Sequence, residues 1–196
     1  MAGEAQALIM TNLVSRPPAD AALIGATLAR ISGEVGSMLG HEVLFEAARV
    51  ERARARPAGS GSIHISFKLG FRSEAGTELF GCLLVPLADA ITMACFLLMI
   101  PEESVASRRE ESALDAAFKD AMLEIGNMLG SATSSALAEL GLSGWSARSE
   151  GCQGVRADVR PAFPYVEESP LVVGRVAARF GPFPTCELIL ILPALG

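Results

Sequence analysis

Residues 34–40 read EVGSMLG, and residues 124–130 read EIGNMLG, almost the same seven letters 90 positions later. Five of the seven positions are identical, and the second position exchanges one β-branched aliphatic residue for another. The main difference is that Ser37 of the first copy corresponds to Asn127 of the second. A duplicated segment that keeps its apolar residues and glycines but changes one polar residue predicts a symmetric fold with an asymmetric site.

Each copy lies in a segment whose apolar residues recur at helical spacing. In the first half this segment covers about residues 20–40, and Asp20 is a suitable N-cap for the helix. In the second half it covers about 109–140, and Gly141 is a suitable stop. Strand-like runs follow each helix. The predicted strands are 42–56, 61–71 and 77–86 in the first half and 144–160, 170–180 and 185–193 in the second, with a further apolar helix over 87–99.

The same order of elements, a helix followed by three strands, therefore occurs twice in a single domain spanning residues 1–196. The pseudo-repeats cover about 20–100 and 109–196. This order predicts an α+β fold with a mostly antiparallel, meander-type sheet. The two long helices should be related by an approximate twofold axis and pack on one face of the sheet.

The spacing between the repeats is not constant. The helix motifs are 90 residues apart, but the strand ends at Pro86 and Pro193 are 107 apart. The second half should therefore contain about seventeen additional residues between its helix and its last strand. We expect them within the proline-rich segment 150–170.

Composition argues against several functional classes. The net charge of −6 disfavours nucleic acid as a partner, because phosphate binding normally involves clustered Lys and Arg. The four cysteines form no C-x-x-C pair, so neither a disulfide framework nor a zinc site is expected. Pro86 and Asp89 interrupt the apolar run 82–100, which favours a strand and a buried helix over membrane insertion. Without a recognisable signal peptide, we expect a cytoplasmic protein.

One face of the second-half helix carries polar residues that could act together. Asp120, Glu124, Asn127 and Ser131 are spaced 4-3-4, and side chains at these spacings are neighbours on a helix. We call these four residues the polar stripe. The apolar residues gather roughly opposite, so a merely solvated helix face would show the same periodicity.

Two features favour a more specific interpretation of this helix. Gly36, Gly40, Gly126 and Gly130 lie inside the predicted helices, where each glycine costs about 1 kcal/mol relative to alanine. Mutual packing of the two helices would explain these glycines. In addition, Asn127 lies in mid-helix although asparagine is a weaker helix former than Gln, Lys or Glu.

The pattern Asp120-x3-Glu124-x2-Asn127, on a helix that recurs earlier in the chain, resembles that of the CheC/CheX/FliY family of chemotaxis phosphatases. The resemblance implies a phosphatase acting on the aspartyl phosphate of a CheY-like response regulator. It implies that Glu124 contacts the regulator's active-site lysine and that Asn127 orients the attacking water. Asp120 and Ser131 would then belong to the partner-binding surface. The regulator supplies the divalent metal in this family, so the chain should need no cofactor or metal site of its own.

The chain departs from the family pattern in two places. In the first copy Arg30 replaces the leading acid and Ser37 replaces the asparagine, so Glu34 and Ser37 form a degenerate second site. We expect that site to be silent, because a serine side chain is too short to reach a phosphate in a partner's pocket. The family's downstream proline would fall at position 150, which is Glu150 here.

The main alternative is a non-catalytic protein-binding module, similar to the flagellar switch proteins of related fold that lack the Glu/Asn pair. Exposure of Asn127 discriminates between the two, since burial under the chain's own loops would favour a structural role. The apolar segments 82–100 and 184–195 would permit either a monomer or a homodimer.

Overall fold

The computed structural model of the protein describes residues 19–112, 114–166 and 169–195. Residues 1–18, on which the expectation about a signal peptide rests, lie outside the described residues. The first-half helix is a continuous helical segment made of α1 (Asp20–Arg30), a π-helical turn (Ile31–Val35) and α2 (Gly36–Leu39). The rest of the first half is β1 (Val43–Phe45), β2 (Arg49–Ala53), β3 (His64–Ser73), β4 (Glu78–Pro86), α3 (Leu87–Leu97) and α4 (Glu102–Arg108). The second half is α5 (Ala116–Glu139), β5 (Trp145–Val155), β6 (Leu171–Phe180) and β7 (Cys186–Pro193).

Within the described residues the strands form one seven-stranded antiparallel sheet in the order β1-β6-β7-β4-β3-β5, and β2 also pairs with β6. At its centre Leu83 of β4 pairs with Leu190 of β7, a residue 107 positions later. The β3–β4 and β6–β7 hairpins have the same register, shifted by those 107 residues. An approximate twofold axis therefore passes between β4 and β7. The α+β fold with an internal duplication is confirmed.

The meander that the sequence predicts is wrong for the first strand of each half. β1 and β2 pair with β6 of the second half, whereas β5 pairs with β3 of the first half. Alternating apolar residues identify a strand but not its partner, and strands that are consecutive in sequence neighbour each other in only about two-thirds of cases. Because each half contributes its first strand to the other, the halves form a single continuous sheet.

The additional residues of the second half are also distributed differently from the prediction. The offset between equivalent positions is 90 in the helices and 102 in the first strands, where Val43 and Trp145 are equivalent by their pairing. It is 107 in the last two strands. About twelve of the seventeen residues therefore precede β5, because α5 continues to Glu139 whereas the first-half helix ends at Leu39. Only about five lie between β5 and β6.

The segment between β5 and β6 covers the sheet face opposite the helices. Phe163 and Tyr165 pack there against strand residues that include Cys82, forming a second, smaller core. The Tyr165 hydroxyl donates a hydrogen bond to the Arg54 carbonyl oxygen at 2.6 Å. Arg56 donates to the Phe163 carbonyl oxygen and lies over both aromatic rings. This part of segment 150–170 therefore shields apolar strand residues from water.

The first-half helix begins at Asp20, the residue expected to cap it, and so one residue earlier than predicted. Ala19 occupies the N-cap position, and Asp20 lies in the first turn rather than capping the helix. The Asp20 carboxylate accepts two hydrogen bonds from the Arg52 guanidinium of β2, at 2.6 and 2.9 Å. These hydrogen bonds hold the pKa of Asp20 below its usual value. The N-terminus of this helix is thus tied to the edge of the sheet.

The second-half helix is shorter than predicted at its N-terminus. It begins at Ala116 because Asp115 caps it, accepting a hydrogen bond from the Phe118 N–H at 2.9 Å. The separate helix α4 ends at Arg108, before the predicted start of this helix at 109. At the other end, Gly141 has a φ of 74°, the left-handed conformation expected at a helix stop.

Candidate functional site

The polar stripe lies on the solvent face of α5. Asp120, Glu124, Asn127 and Ser131 are all exposed, and their side chains have no hydrogen-bond or ion-pair partner within the part of the chain that the structure describes. At a rise of about 1.5 Å per residue, roughly 10 Å along the helix axis separates Asp120 from Asn127. Since Asn127 is not buried under a loop, the burial that would have favoured a purely structural role does not occur.

The opposite face of α5 is buried, which fixes the direction in which the stripe points. Phe118, Met122, Ile125 and Leu129 are each at most 2% exposed in the main core. Rotating the helix about its axis would bring these apolar side chains into water at roughly 1.5–3 kcal/mol each. The stripe is therefore presented to solvent by a fixed element.

The interior glycines of α5 bring the helix close to β5, not to the first-half helix as the sequence predicts. A Cβ on Gly130 would lie 2.7 Å from the Ser149 nitrogen, and one on Gly126 would lie 2.9 Å from the Ser149 Oγ. In the first copy, Gly36 similarly approaches the turn that leads into β1, and Gly40 ends the helix with a φ of 67°. The position of the stripe is thus set by contact of α5 with the β5 backbone.

Two shallow grooves run between the helices, and Met38 and Met128 line both of them. These methionines are equivalent in the two copies of the repeated segment. One groove, which we call the acidic groove, has a volume of about 520 Å³ and is bordered by Asp120 and Glu124. Its remaining lining is apolar and includes Leu98 at the end of α3.

The other groove, which we call the first-half groove, lies on the side of the degenerate site. It has a volume of about 840 Å³, and Glu34, Ser37 and Ser131 line it. Ser131 therefore faces a different groove from Asp120 and Glu124. Asn127 lies between them along the helix and lines neither groove.

The two copies differ in what surrounds their glutamates. The Arg30 Nε donates to Glu139 Oε2 at 2.9 Å, and the Arg30 guanidinium lies 3.7 Å from Glu34 Oε1. Glu34 therefore already lies next to an intramolecular cation, Arg30, whereas no cation in the described residues pairs with Glu124. Glu34 also lies in the π-helical turn, where the wider turn changes its alignment with the exposed Ser37. The first copy does not reproduce the arrangement of the second.

The sequence pattern does not predict two features of this arrangement, the ion pair between Arg30 and Glu139 and the methionines that line both grooves. Nothing in the pattern indicates that Glu139 pairs with Arg30 across the helix crossing. The groove methionines did leave a signal, because both copies of the repeat keep a methionine at the same position. Helical periodicity groups Met128 with the apolar residues opposite the polar stripe, whereas its side chain is only partly buried, and Met38 is 63% exposed.

Position 150, where the family carries a proline, lies in an irregular stretch of the edge strand β5. The register of β5 on β3 shifts there, and Gly151 has a φ of 84°. Glu150 accepts a hydrogen bond from the Arg148 Nε at 2.6 Å. The departure from the family pattern therefore falls next to the strand residues on which α5 rests.

The described residues offer no other evident chemistry. Across 19–112, 114–166 and 169–195, no group of three or more His, Cys, Asp or Glu side chains could hold a metal ion. The four cysteines are free, and burial raises the pKa of each thiol, that of Cys82 to about 12. None is therefore an activated thiolate nucleophile at neutral pH. In these same ranges no helix is both long and apolar enough to cross a membrane.

No protein-family model and no curated protein matches the chain. Solved structures do match it. FliY from Thermotoga maritima has a TM-score of 0.64 at 15% identity, covering 92% of both chains. The chemotaxis protein CheX from Desulfovibrio desulfuricans has a TM-score of 0.54 at 15% identity, covering 87% of this chain and 94% of that one.

A third match comes from a protein complex. A chain in the FliG–FliM complex from H. pylori has a TM-score of 0.62 at 12% identity, covering 88% of this chain and 90% of that one. Because all three matches span most of both chains, the likeness extends to the whole architecture and not to the repeated helices alone. The chain therefore has the fold of the CheC/CheX/FliY family.

Proposed function

We propose that the protein is a phosphatase that removes the aspartyl phosphate from a CheY-like response regulator. The observation that carries the proposal is the pair Glu124 and Asn127, exposed one helical turn apart on a fixed helix of a CheX-like fold. A partner can approach both side chains, because the described residues place nothing over them. The spacing and identity of the pair agree with the family pattern.

The chemistry requires little more than positioning. An acyl phosphate is already activated, and the receiver domain that carries it brings its own divalent metal. Holding a water in line with the phosphorus can therefore supply several kcal/mol of barrier lowering. The Asn127 carboxamide can accept from and donate to such a water without becoming charged, although it cannot act as a general base.

Glu124 has the role of an anchor in this proposal. Its carboxylate has no cationic partner in the described part of the chain, so a lysine of the regulator can pair with it without breaking an existing contact. Once the regulator covers the site, water is excluded and the ion pair strengthens. Glu34 offers no such opportunity, because Arg30 already lies 3.7 Å away. The proposal therefore assigns activity to the second copy only.

The second candidate function is a non-catalytic binding module. The TM-score to a chain of the FliG–FliM complex, 0.62, lies between those to FliY, 0.64, and to CheX, 0.54. A module of this kind would bind its partner through the same helices without hydrolysis. The presence of both Glu124 and Asn127 favours the phosphatase.

The half-life of the acyl phosphate tests the proposal. Each CheY-like receiver domain of the source genome is phosphorylated with a small phosphodonor, and loss of the phosphoryl group is followed with and without the protein. Asn127→Ala should slow the catalysed reaction about 100-fold, the loss of one transition-state contact worth about 2.7 kcal/mol. The matched control is Ser37→Ala at the equivalent position of the first copy, which should leave the rate unchanged.

The outcomes separate the two candidate functions. Faster loss of the phosphoryl group with wild type than with Asn127→Ala supports the phosphatase. Equal rates with both proteins, together with binding of a receiver domain, support the binding module. The phosphatase assignment fails if the wild-type protein does not accelerate loss of the phosphoryl group from any receiver domain.

A further inference from the structure

We infer that the acidic groove is the docking site for a segment of the regulator in which a bulky apolar side chain adjoins a lysine or arginine. The first half, to which the proposed function assigns no catalysis, contributes Met38 to this docking site. This inference rests on the proposed function, because it specifies how the same partner is held.

The floor of the acidic groove is apolar and accessible. Met38 from the first-half helix is 63% exposed, and Leu98 at the end of α3 is 39% exposed. Met128 from α5 lies on the same floor. Three separate elements thus direct apolar side chains into one depression, whereas isolated exposed apolar residues are scattered over most protein surfaces. Methionine side chains adapt their shape to a partner more readily than branched ones.

The rim of the groove determines the charge of its occupant. Asp120 and Glu124 border the groove about 6 Å apart along α5, at four residues and about 1.5 Å of rise each. Neither carboxylate pairs with a cation in the described ranges. A partner that fills the apolar floor therefore gains by placing a lysine or arginine at this rim.

The shape of the groove indicates a protein partner. The groove is a shallow depression open to solvent, whereas pockets for small ligands enclose most of the ligand surface. Its acidic rim is part of the polar stripe, and Asn127 directly precedes Met128 on α5. A segment bound on this floor therefore lies within one helical turn of the proposed catalytic amide. Docking there would hold the regulator next to Asn127.

This arrangement assigns a role to the half that lacks the asparagine. Met38 belongs to the copy whose Glu34 and Ser37 line the first-half groove and to which the proposed function assigns no catalysis. Its side chain nevertheless lines the groove beside the second copy. The duplication therefore supplies a docking surface from one copy and the reactive side chains from the other.

The test compares Met38→Gln with Val159→Gln. Glutamine has nearly the length of methionine, and Met38 is exposed, so the substitution should leave folding intact. Val159 is 45% exposed on the segment after β5 and lines neither groove, which makes it a matched control for loss of exposed apolar surface. Initial rates are measured over a range of phosphorylated receiver concentrations. The affinity for the same receiver domain, held in its phosphorylated-like form with Mg²⁺ and beryllofluoride, is measured by calorimetry.

Met38→Gln should raise KM and Kd about tenfold with kcat unchanged, because it removes an apolar contact but no reacting group. Val159→Gln should change none of these values. A second measurement tests the rim: Asp120→Asn should lower the dependence of Kd on salt concentration.

The outcomes distinguish this inference from the proposed function. If wild type binds and hydrolyses the phosphoryl group but Met38→Gln leaves KM and Kd within twofold, the groove does not dock the partner and the proposed function stands. If wild type binds no receiver domain, both fail. A third outcome is that sedimentation shows the wild-type protein to be a dimer and Met38→Gln to be a monomer, with Kd for the receiver domain unchanged. In that case a second copy of this chain occupies the groove, and the inference is overturned.

Discussion

Replacing Gly130 with alanine should destabilise the protein, although alanine is the better helix former by about 1 kcal/mol. A Cβ at this position would lie 2.7 Å from the Ser149 nitrogen and 2.9 Å from the Arg148 carbonyl carbon. Non-bonded contacts between heavy atoms are favourable at about 3.5–4.0 Å, so α5 and β5 would have to separate by close to 1 Å. Both atoms belong to the backbone of a paired strand, and no flexible side chain can move aside. Overpacking costs about 1–3 kcal/mol, and we expect the upper end of this range here because only backbone can move. After subtracting the gain in helix propensity of about 1 kcal/mol, the net loss is about 2 kcal/mol.

The matched control for this substitution is Gly25→Ala. Gly25 lies on the exposed face of α1, where a Cβ would meet nothing within 4 Å. It should therefore gain about 0.5–1 kcal/mol from helix propensity alone. Thermal and urea unfolding can be followed by circular dichroism and by the fluorescence of Trp145, the only tryptophan, which begins β5.

For a protein of this size the expected loss corresponds to a decrease of about 4–8 °C in Tm for Gly130→Ala, against a small increase for Gly25→Ala. If the two substitutions stabilise the protein alike, α5 is not held against the β5 backbone. The explanation given for its interior glycines would then be wrong.

Two further predictions concern ion pairs. Asp89 is 4% exposed and accepts a hydrogen bond from Arg109 Nη1 at 2.9 Å. Asp89→Asn should lower the free energy of unfolding in urea by about 3 kcal/mol, because it leaves the guanidinium without its buried counter-charge. A loss below about 1 kcal/mol would contradict this. Since Arg52 lowers the pKa of Asp20 in the folded state, the pair stabilises the protein above the unfolded pKa, near 3.8, and this contribution is lost as pH falls through the lower folded value. The difference in Tm between wild type and Asp20→Asn should therefore shrink below about pH 4, and a difference that stays constant from pH 3 to pH 7 would refute the assignment.

Local patterns predicted the elements and much of the candidate site. The 3.6-residue periodicity of 114–136 reports which side of a helix is buried, so it placed Glu124 and Asn127 correctly on the exposed face. It predicted the start of the same helix less well, because the helix begins at a capping hydrogen bond to Asp115 that the apolar pattern does not reveal. The glycines of α5 indicated a close approach of some other element, but the sequence did not predict that this element is the backbone of β5.

The sequence by itself determined the duplication, the α+β class and the polar stripe, since each is written in residues that are near one another in the chain. Only the tertiary structure decided that the halves exchange their first strands, that α5 rests on β5, and that Arg30 pairs with Glu139, a residue 109 positions away. The physical reason is that strand partners, close backbone approaches and ion pairs depend on which distant surfaces meet. A local pattern describes each surface but does not specify its partner.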